Sequence, residues 1–268
     1  MLDIARRHNQ GYNDIKSANP AVDLLLPGED TPVLIPSLYI LPETPRQGLI
    51  INLAELRLYF FPPVAPGEAP QVVTYPIGIG KRDHPTPRGA LRAVNKLTKP
   101  TWYVPASIRD ARRLENPDYP AAIPPGPDNP LGEFALLLSR KRYLLHGTNK
   151  PDGIGMHVSN GCIRLYPEHI AELFKNLPLQ TPVQIVSQPY KVGWRDDTLY
   201  LEVHPDHYRK GKTRDLSRMV KQIVKATTKG ETTIDWPKVD RLVESADGIP
   251  GPIGQRQRHA GDLAHREN

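Results

Sequence analysis

The chain has 268 residues, of which 38% are hydrophobic and 24% are charged, and its formal net charge at pH 7 is +6. Its length allows one ordinary hydrophobic core plus a smaller module or tails, and its 30 Pro and 20 Gly stay below the ~25–30% that marks a low-complexity chain. The positive charge favours an anionic partner without separating nucleic acid, cell-wall polymer and anionic lipid, and no run reaches the ~18 apolar residues of a membrane-spanning helix.

Residues 1–42 have the pattern of a small α/β module. Apolar residues at helical spacing on both sides of a break at 9–11 predict two short helices over 2–19. A loop over 20–28 and a short strand over 31–36 complete the pattern. This region, with Ile4-Ala5, Asp14-Ile15 and the VLIP run at 33–36, resembles a LysM peptidoglycan-binding module that lacks its first strand.

Residues 48–187 change to the short apolar runs of a mainly β domain. Two runs at 49–53 and 56–61 predict a hairpin, and further strands are predicted at 72–77, 134–138, 143–145 and 183–186. Residues 167–177 start with Pro167 and repeat apolar positions at helical spacing, which predicts a helix. Short strands separated by Gly and Pro are typical of a β-sandwich or barrel-like domain, here with one or more short helices.

Residues 188–268 are predicted to form a C-terminal flank with one strand at 198–203, a helix at 216–226 and a disordered tail at 248–268. Within this flank, residues 204–221 contain six Lys or Arg against two Asp. Such a stretch is either a solvated surface or a contact with an anionic polymer.

The stretch from residue 143 to residue 165 contains the groups that thiol catalysis requires. His146 ends an apolar strand, and Cys162, the single cysteine of the chain, follows a Gly turn. The two side chains can meet across a sheet although they are 16 positions apart. Because a thiol of pKa about 8.5 is mostly protonated at neutral pH, a neighbouring imidazole increases its reactive fraction and later returns the proton.

The residues around Cys162 fit the same chemistry. Asn160-Gly161 is a strong turn pair, and we expect backbone N–H groups of this turn to face a developing oxyanion. Arg164 shares a face with Cys162 if the segment is extended, so its charge would lower the pKa of the thiol or hold a substrate carboxylate.

An ordered set of residues then resembles a known family. The set consists of Gly78-x-Gly80, Thr86-Pro87-x-Gly89, His146-Gly147-Thr148 and Ser159-x-Gly161-Cys162-Ile163-Arg164. It is similar to the L,D-transpeptidase catalytic domain of the YkuD type, and the similarity covers residues 48–187. The resemblance implies that Cys162 is the nucleophile and His146 its base, with Arg164, Ser159, Gly147 and Thr148 at the substrate site.

Two positions depart from the family pattern or lie outside it. The residue before the Gly-Cys pair is often His in the family but is Asn160 here, so no acid–base role is assigned to it. His157 is interpreted as a loop or rim residue.

The resemblance implies transpeptidation of peptidoglycan stem peptides through a Cys162 thioester, without metal, ATP or another cofactor. The expected acceptor is the amine of a second stem, a lipoprotein lysine or a free D-amino acid, with glycan strands as a further partner and with no nucleic acid. This activity belongs in the periplasm, whereas residues 1–10 have no apolar signal-peptide core. We therefore expect the chain to be a truncated or processed form, or its start site to be misassigned.

Four other functions are compatible with parts of the sequence. A zinc hydrolase using His146, His157 and Cys162 lacks an HExxH or paired-Cys motif, and a dinucleotide site at residues 78–80 lacks its third Gly, since Asp83 stands there. A non-catalytic wall-binding protein would not need the His146 and Cys162 pair. An L,D-carboxypeptidase or endopeptidase uses the same nucleophile, with water replacing the amine acceptor.

Overall fold

The computed structural model describes residues 1–24, 26–205, 215–228 and 230–257. The chain forms two compact units, the first made of Met1–Ile35 and Thr44–Ser187 and the second of Pro36–Glu43 and Gln188–Asn268. The first 35 residues therefore belong to the same unit as the predicted catalytic domain, which differs from the predicted separate module over residues 1–42. No helix in the described part of the chain is both long and apolar enough to span a membrane.

The first unit is a β structure with short helices. In chain order, its described elements are α1 (Leu2–Arg7), α2 (Tyr12–Ala18), β1 (Gly48–Asn52), β2 (Arg57–Phe61), β3 (Val73–Pro76), β4 (Ile79–Gly80), β5 (Gly89–Thr98), β6 (Trp102–Tyr103), α3 (Ala106–Arg113), β7 (Ala122–Ile123), β8 (Phe134–Leu138), β9 (Leu144–His146), β10 (His157–Ser159), β11 (Ile163–Arg164), α4 (Pro167–Asn176) and β12 (Pro182–Val186). The predicted hairpin, the other four predicted strands and the helix at 167–177 are thus confirmed within one or two residues.

Eight of these strands form one mixed sheet in the order β11-β9-β8-β5-β12-β1-β2-β3. β9 and β11 are parallel, as are β1 and β12, and the other neighbours are antiparallel. The two edges of the sheet meet, because Gly78, just beyond β3, exchanges backbone hydrogen bonds of 2.9 and 2.8 Å with Arg164 of β11. The sheet therefore curls on itself, which confirms the mainly β, barrel-like prediction.

The central strands β1 and β2 are covered on both faces. Leu49, Ile50 and Ile51 are consecutive residues whose side chains point to alternate faces, yet none is exposed to solvent. On β8, the ring of Phe134 lies 4.7 Å from that of Phe174 in α4. A strand buried on both faces is a continuous apolar run in sequence, which is why these strands were predictable.

A buried ion pair holds the N-terminal helices to the rest of the unit. Arg57 of β2, which is 1% exposed, donates to Asp14 of α2 at 2.8 Å and to the side-chain oxygen of Gln10 at 3.3 Å. Tyr166 donates its hydroxyl proton to the Gln10 carbonyl at 3.1 Å. These contacts give α1 and α2 a place in the same core as the sheet.

The predicted strand at 31–36 is wrong. Residues 31–36, all of which are described, form no strand. Leu34 instead exchanges both of its backbone hydrogen bonds with the side-chain amide of Asn19, at 2.8 and 2.9 Å. The amide takes the place of a partner strand.

The second unit is a four-stranded antiparallel sheet with two helices. Its described elements are β13 (Tyr190–Arg195), β14 (Thr198–Val203), α5 (Ser217–Thr227), β15 (Thr232–Ile234), α6 (Trp236–Ser245) and β16 (Gly251–Arg256), and the sheet order is β13-β14-β16-β15. The predicted strand at 198–203 and helix at 216–226 are confirmed. Glu202 is buried in this unit, where it accepts from Lys191 at 2.7 Å and from the backbone N–H of Ile40 at 2.6 Å.

The predicted disordered tail is wrong over residues 251–256. These residues form β16, which pairs with β14 and β15 and so satisfies its backbone polar groups despite its Gly and Pro content. Residues 258–268 of the predicted tail, and residues 206–214 of the basic stretch, lie outside the described residues.

Candidate active site

The parallel pairing of β9 with β11 brings the predicted catalytic residues together. In this register Ile163 stands opposite Leu145, and Arg164 stands opposite His146. Cys162 comes directly before β11, and because side chains alternate along an extended chain, it shares a face with Arg164. The structure thus places residues that are up to 18 positions apart in sequence on two paired strands, with Cys162 before the start of β11 and His146, beside Arg164, at the end of β9.

His146 is held as a neutral imidazole. Its side chain is buried, and its Nδ1 lies 2.6 Å from the carbonyl oxygen of Gly147. Burial first, and then the charge of Arg164, lower the pKa of His146 to about 4, against the opposing effect of the carbonyls of Gly147 and Leu131. Since a carbonyl can only accept, Nδ1 carries the proton, and Nε2 is left with its lone pair for use as a base.

The Cys162 thiol is partly exposed and is protonated at rest. It donates to the carbonyl oxygen of Arg142 at 3.4 Å. Burial raises the pKa of the thiol, while the backbone of Leu144 and the charge of Arg164 oppose that rise. The resting site therefore contains a neutral thiol and a neutral imidazole rather than a thiolate–imidazolium pair.

Arg164 is a charged side chain without an acidic partner among the described residues. Burial lowers the pKa of its guanidinium, and the Cys162 sulfur opposes this effect. Its Nε atom is buried and has no hydrogen-bond partner in the described part of the chain. A half-buried guanidinium with an unmet donor is suited to an incoming carboxylate.

The turn before Cys162 is fixed by Ser159 and Gly161. The Ser159 hydroxyl donates to the carbonyl of Cys162 at 2.5 Å and accepts from the N–H of Gly161 at 3.1 Å. Gly161 has φ of 104°, and a Cβ there would lie 2.9 Å from the ring of Tyr143, so a glycine is required. The N–H of Gly161, which was predicted to face an oxyanion, instead donates to the Ser159 hydroxyl. The N–H of Cys162 donates to none of the described residues.

The other predicted residues lie close to this turn or to the base. The carbonyl of Gly147 holds the imidazole of His146, and the buried Thr148 accepts from the N–H of Lys150 at 3.0 Å. Asn160 lies exposed in the turn. His157 is half-buried in β10, where burial first and then Arg82 lower the pKa of its imidazole.

Three residues of the site were not predicted from sequence. Arg142 supplies the carbonyl that accepts from the thiol and has φ of 72°, Leu131 supplies a second carbonyl to His146, and Tyr143 packs on Gly161. Two of them act through backbone carbonyls, which every residue type has, so the sequence contained no signal for them. In the described part of the chain, His146, His157 and Cys162 do not converge as three ligands of one metal ion.

The chain is similar to known L,D-transpeptidases over most of its length. The sequence profile of the YkuD type of L,D-transpeptidase catalytic domain matches residues 46–185. The chain is 36% identical over 256 residues to the probable L,D-transpeptidase ErfK/SrfK of Salmonella typhimurium, covering 93% of this chain and 81% of that protein. It is 35% identical over 251 residues to the probable L,D-transpeptidase YbiS of Escherichia coli, covering 92% of this chain and 80% of that protein. A solved L,D-transpeptidase from Mycobacterium smegmatis aligns with a TM-score of 0.39 and 21% identity over 53% of this chain and 59% of that one.

Proposed function

The chain belongs to the YkuD family of L,D-transpeptidases, and we propose that Cys162 and His146 carry out the acyl transfer of this family on peptidoglycan stem peptides. The observation that supports these roles is the state of His146. It is neutral, its Nδ1 proton is engaged by Gly147, and it stands beside the residue that shares a face with the thiol.

In the first half-reaction, the Cys162 thiol gives its proton to Nε2 of His146 as the sulfur attacks the carbonyl carbon of the third stem residue. The tetrahedral intermediate has a negative oxygen, for which the amide of Cys162 is the available donor. Collapse breaks the bond to the terminal D-alanine, whose amine takes the proton from the imidazolium. The product is a thioester on Cys162 and free D-alanine.

In the second half-reaction, an amine attacks the thioester. His146 accepts a proton from that amine, an amide bond forms, and the sulfur leaves with a proton as the original thiol. The thioester conserves the energy of the cleaved peptide bond, so the exchange needs no other energy source. A second stem, a lipoprotein lysine or a free D-amino acid would suit as the acceptor, and water would give the L,D-carboxypeptidase reaction instead.

Arg164 completes the proposed site. Its unmet Nε donor and its charge, with no described acid nearby to neutralise it, suit a carboxylate of the donor stem as a forked pair. Glycan strands are a further proposed partner, and we place the reaction in the periplasm because stem peptides lie outside the inner membrane.

Intact-protein mass spectrometry with a stem tetrapeptide tests this assignment. The expected result is an adduct of the tetrapeptide less D-alanine, mapped to Cys162 and absent in Cys162→Ala. Product analysis with an amine acceptor then separates transfer, which makes a new peptide bond, from hydrolysis, which only shortens the stem. A Cys162→Ala protein that still forms cross-links would refute the role of the thiol.

A further inference from the structure

Two exposed basic loops are joined to the turn that presents Cys162. One loop follows β4 and the other precedes β9, and their exposed cations include Lys81, Arg82, Arg140, Lys141 and Arg142. We call these five residues the basic rim. None of them belongs to the catalytic motif that identified the site.

The first loop is joined to the turn by hydrogen bonds. The N–H of Lys81 donates to the carbonyl of Ser159 at 2.9 Å. The buried hydroxyl of Thr86 donates to the carbonyl of Gly161 at 3.0 Å and accepts from the N–H of Gly80 at 2.9 Å. The backbone of this loop at Lys81 is therefore fixed beside the turn over residues 159–161 that precedes the nucleophile.

The second loop is joined to the nucleophile itself. The carbonyl of Arg142 accepts from the thiol of Cys162, and the ring of Tyr143 packs against Gly161. The guanidinium of Arg140 lies over the same ring, 5.4 Å from its centre. The cations at 140–142 are thus joined to the same turn as Lys81 through a second set of contacts.

The charge of the rim has little internal compensation. Residues 81–88 contain one carboxylate, Asp83, which lies 3.7 Å from His84, and residues 139–143 contain none. Arg164, deeper in the site, adds another positive charge. A cleft with one sign of charge concentrates ligands of the opposite sign and raises their rate of association by ~10- to 1000-fold.

We propose that the basic rim makes this enzyme select donor stems whose carboxylates are free over stems in which they are amidated. This inference rests on the proposed function, because it concerns the donor peptide of that reaction. A stem peptide with free carboxylates carries several negative charges, and amidation removes them without changing the backbone that Cys162 attacks. Single exposed ion pairs are weak, but five like charges around one turn act together.

The test measures acylation of Cys162 alone, without an acceptor. Two tetrapeptide donors are compared, one with free carboxylates and one with its non-terminal carboxylates converted to amides, at about 20 and 300 mM NaCl. We expect kcat/KM to favour the free carboxylates by about tenfold at low salt and by much less at high salt, since exposed charges are screened within ~10 Å or less at that ionic strength.

Variants assign the effect to the rim. The triple variant Lys81→Gln/Arg82→Gln/Lys141→Gln removes three rim charges. We expect the ratio of kcat/KM for the two donors to fall toward one and to depend less on salt. The matched control Arg218→Gln/Lys221→Gln/Arg241→Gln removes three exposed charges from the second unit and should keep the preference.

The outcomes separate the two proposals. Absence of any Cys162 adduct with either donor would overturn the proposed function itself. Equal acylation of both donors by the wild-type enzyme, or loss of preference in both triple variants alike, would overturn the role of the rim while leaving the nucleophile in place.

Discussion

Arg164 stands opposite His146 in the parallel pairing of β11 with β9, and its charge acts on both members of the thiol–imidazole pair. It lowers the pKa of His146, which keeps the base neutral, and it opposes the rise that burial causes in the pKa of Cys162. One guanidinium therefore keeps the imidazole neutral and favours ionisation of the thiol, while it also makes the imidazole a weaker base.

The pH dependence of acylation should show this relationship. His146 must be neutral to accept the thiol proton, and its pKa lies near 4 rather than at its usual ~6.5. We expect kcat/KM for acylation to fall only as the pH drops toward about 4. In Arg164→Gln the imidazole gains a proton more easily, so the fall should begin at higher pH, though still below ~6.5, because burial is the larger cause.

Arg164→Lys is the control for charge. It keeps the positive charge, so the fall of kcat/KM at low pH (the acid limb of the pH profile) should occur at the same pH as in the wild-type enzyme. It loses the planar fork, so kcat/KM for a stem with free carboxylates should fall more than tenfold, which is about 1.4 kcal/mol. An acid limb that is identical in all three proteins would show that Arg164 does not act on His146, and near-normal kinetics of Arg164→Lys would remove Arg164 from substrate binding.

Acylation by a carbapenem should separate the nucleophile from the residue that shapes its turn. We expect a carbapenem to label Cys162, because a thiol that accepts acyl groups from peptides can open a strained β-lactam. Ser159→Ala should still be labelled, but the buried N–H of Gly161 and the carbonyl of Cys162 lose their shared partner. The free energy of unfolding should then fall by about 1–3 kcal/mol in denaturant titrations. Loss of labelling in a folded Ser159→Ala protein would assign Ser159 a chemical role.

The central strands were predictable, and the proposed catalytic pair could be named, because their signals are local. β1 and β2 are apolar runs buried on both faces, and the Gly161-Cys162 motif is contiguous. The ten-residue strand β5 was missed because most of its residues are at least partly exposed and its apolar residues do not alternate. Helix α3 was missed because it is strongly polar, with Ile108 as its one large apolar residue, and none of its residues is buried.

The parts that could not be predicted depend on contacts between distant residues. β16 reads as a Gly- and Pro-containing tail until β14 and β15 pair with it. The N-terminal helices join the first unit through close backbone approach, since a Cβ on Gly155 would lie 2.4 Å from the nitrogen of Tyr12. No local pattern encodes such a contact.

Asn129 is expected to hold the segment that reaches His146. Its fully buried side-chain amide donates to the carbonyls of Pro100, Ile123 and Pro124 at 2.8, 3.2 and 3.1 Å, and its oxygen accepts from the N–H of Leu131 at 2.9 Å. Asn129→Asp replaces the amide donor by a carboxylate facing the same carbonyls. We expect unfolding free energy to fall by at least 1–3 kcal/mol and kcat to fall as well, because the Leu131 carbonyl is displaced from His146.

The matched control for Asn129 is Asn149→Asp. Asn149 is exposed and donates to the Pro127 carbonyl at 3.3 Å, so its replacement should change stability by no more than about 0.5 kcal/mol. Urea titration and steady-state kinetics of both variants provide the comparison. Equal, small effects at the two positions would show that Asn129 does not organise this segment.

Gly161→Ala tests the geometry of the nucleophile turn. The substitution places a side chain at φ of 104° and brings its Cβ to 2.9 Å from Cε1 of Tyr143, so the turn must shift. Gly67→Ala is the control for backbone strain alone, because Gly67 has φ of 91° and nothing within 4 Å of its Cβ position. Both variants should lose roughly 1 kcal/mol or more of stability from the left-handed backbone, but only Gly161→Ala should also slow acylation, by about 100-fold for a displacement near 1 Å.

The clash with Tyr143 is separable from the strain by a second substitution. In Gly161→Ala/Tyr143→Ala the ring that the new Cβ would meet is gone, so the acylation rate should recover in part while the loss of stability at residue 161 persists. Stopped-flow labelling of Cys162 with a chromogenic β-lactam gives the rate, and denaturant titration gives the stability. If Gly161→Ala acylates as fast as Gly67→Ala, the turn tolerates a side chain, and the position of Cys162 does not depend on the close packing of Gly161 against Tyr143.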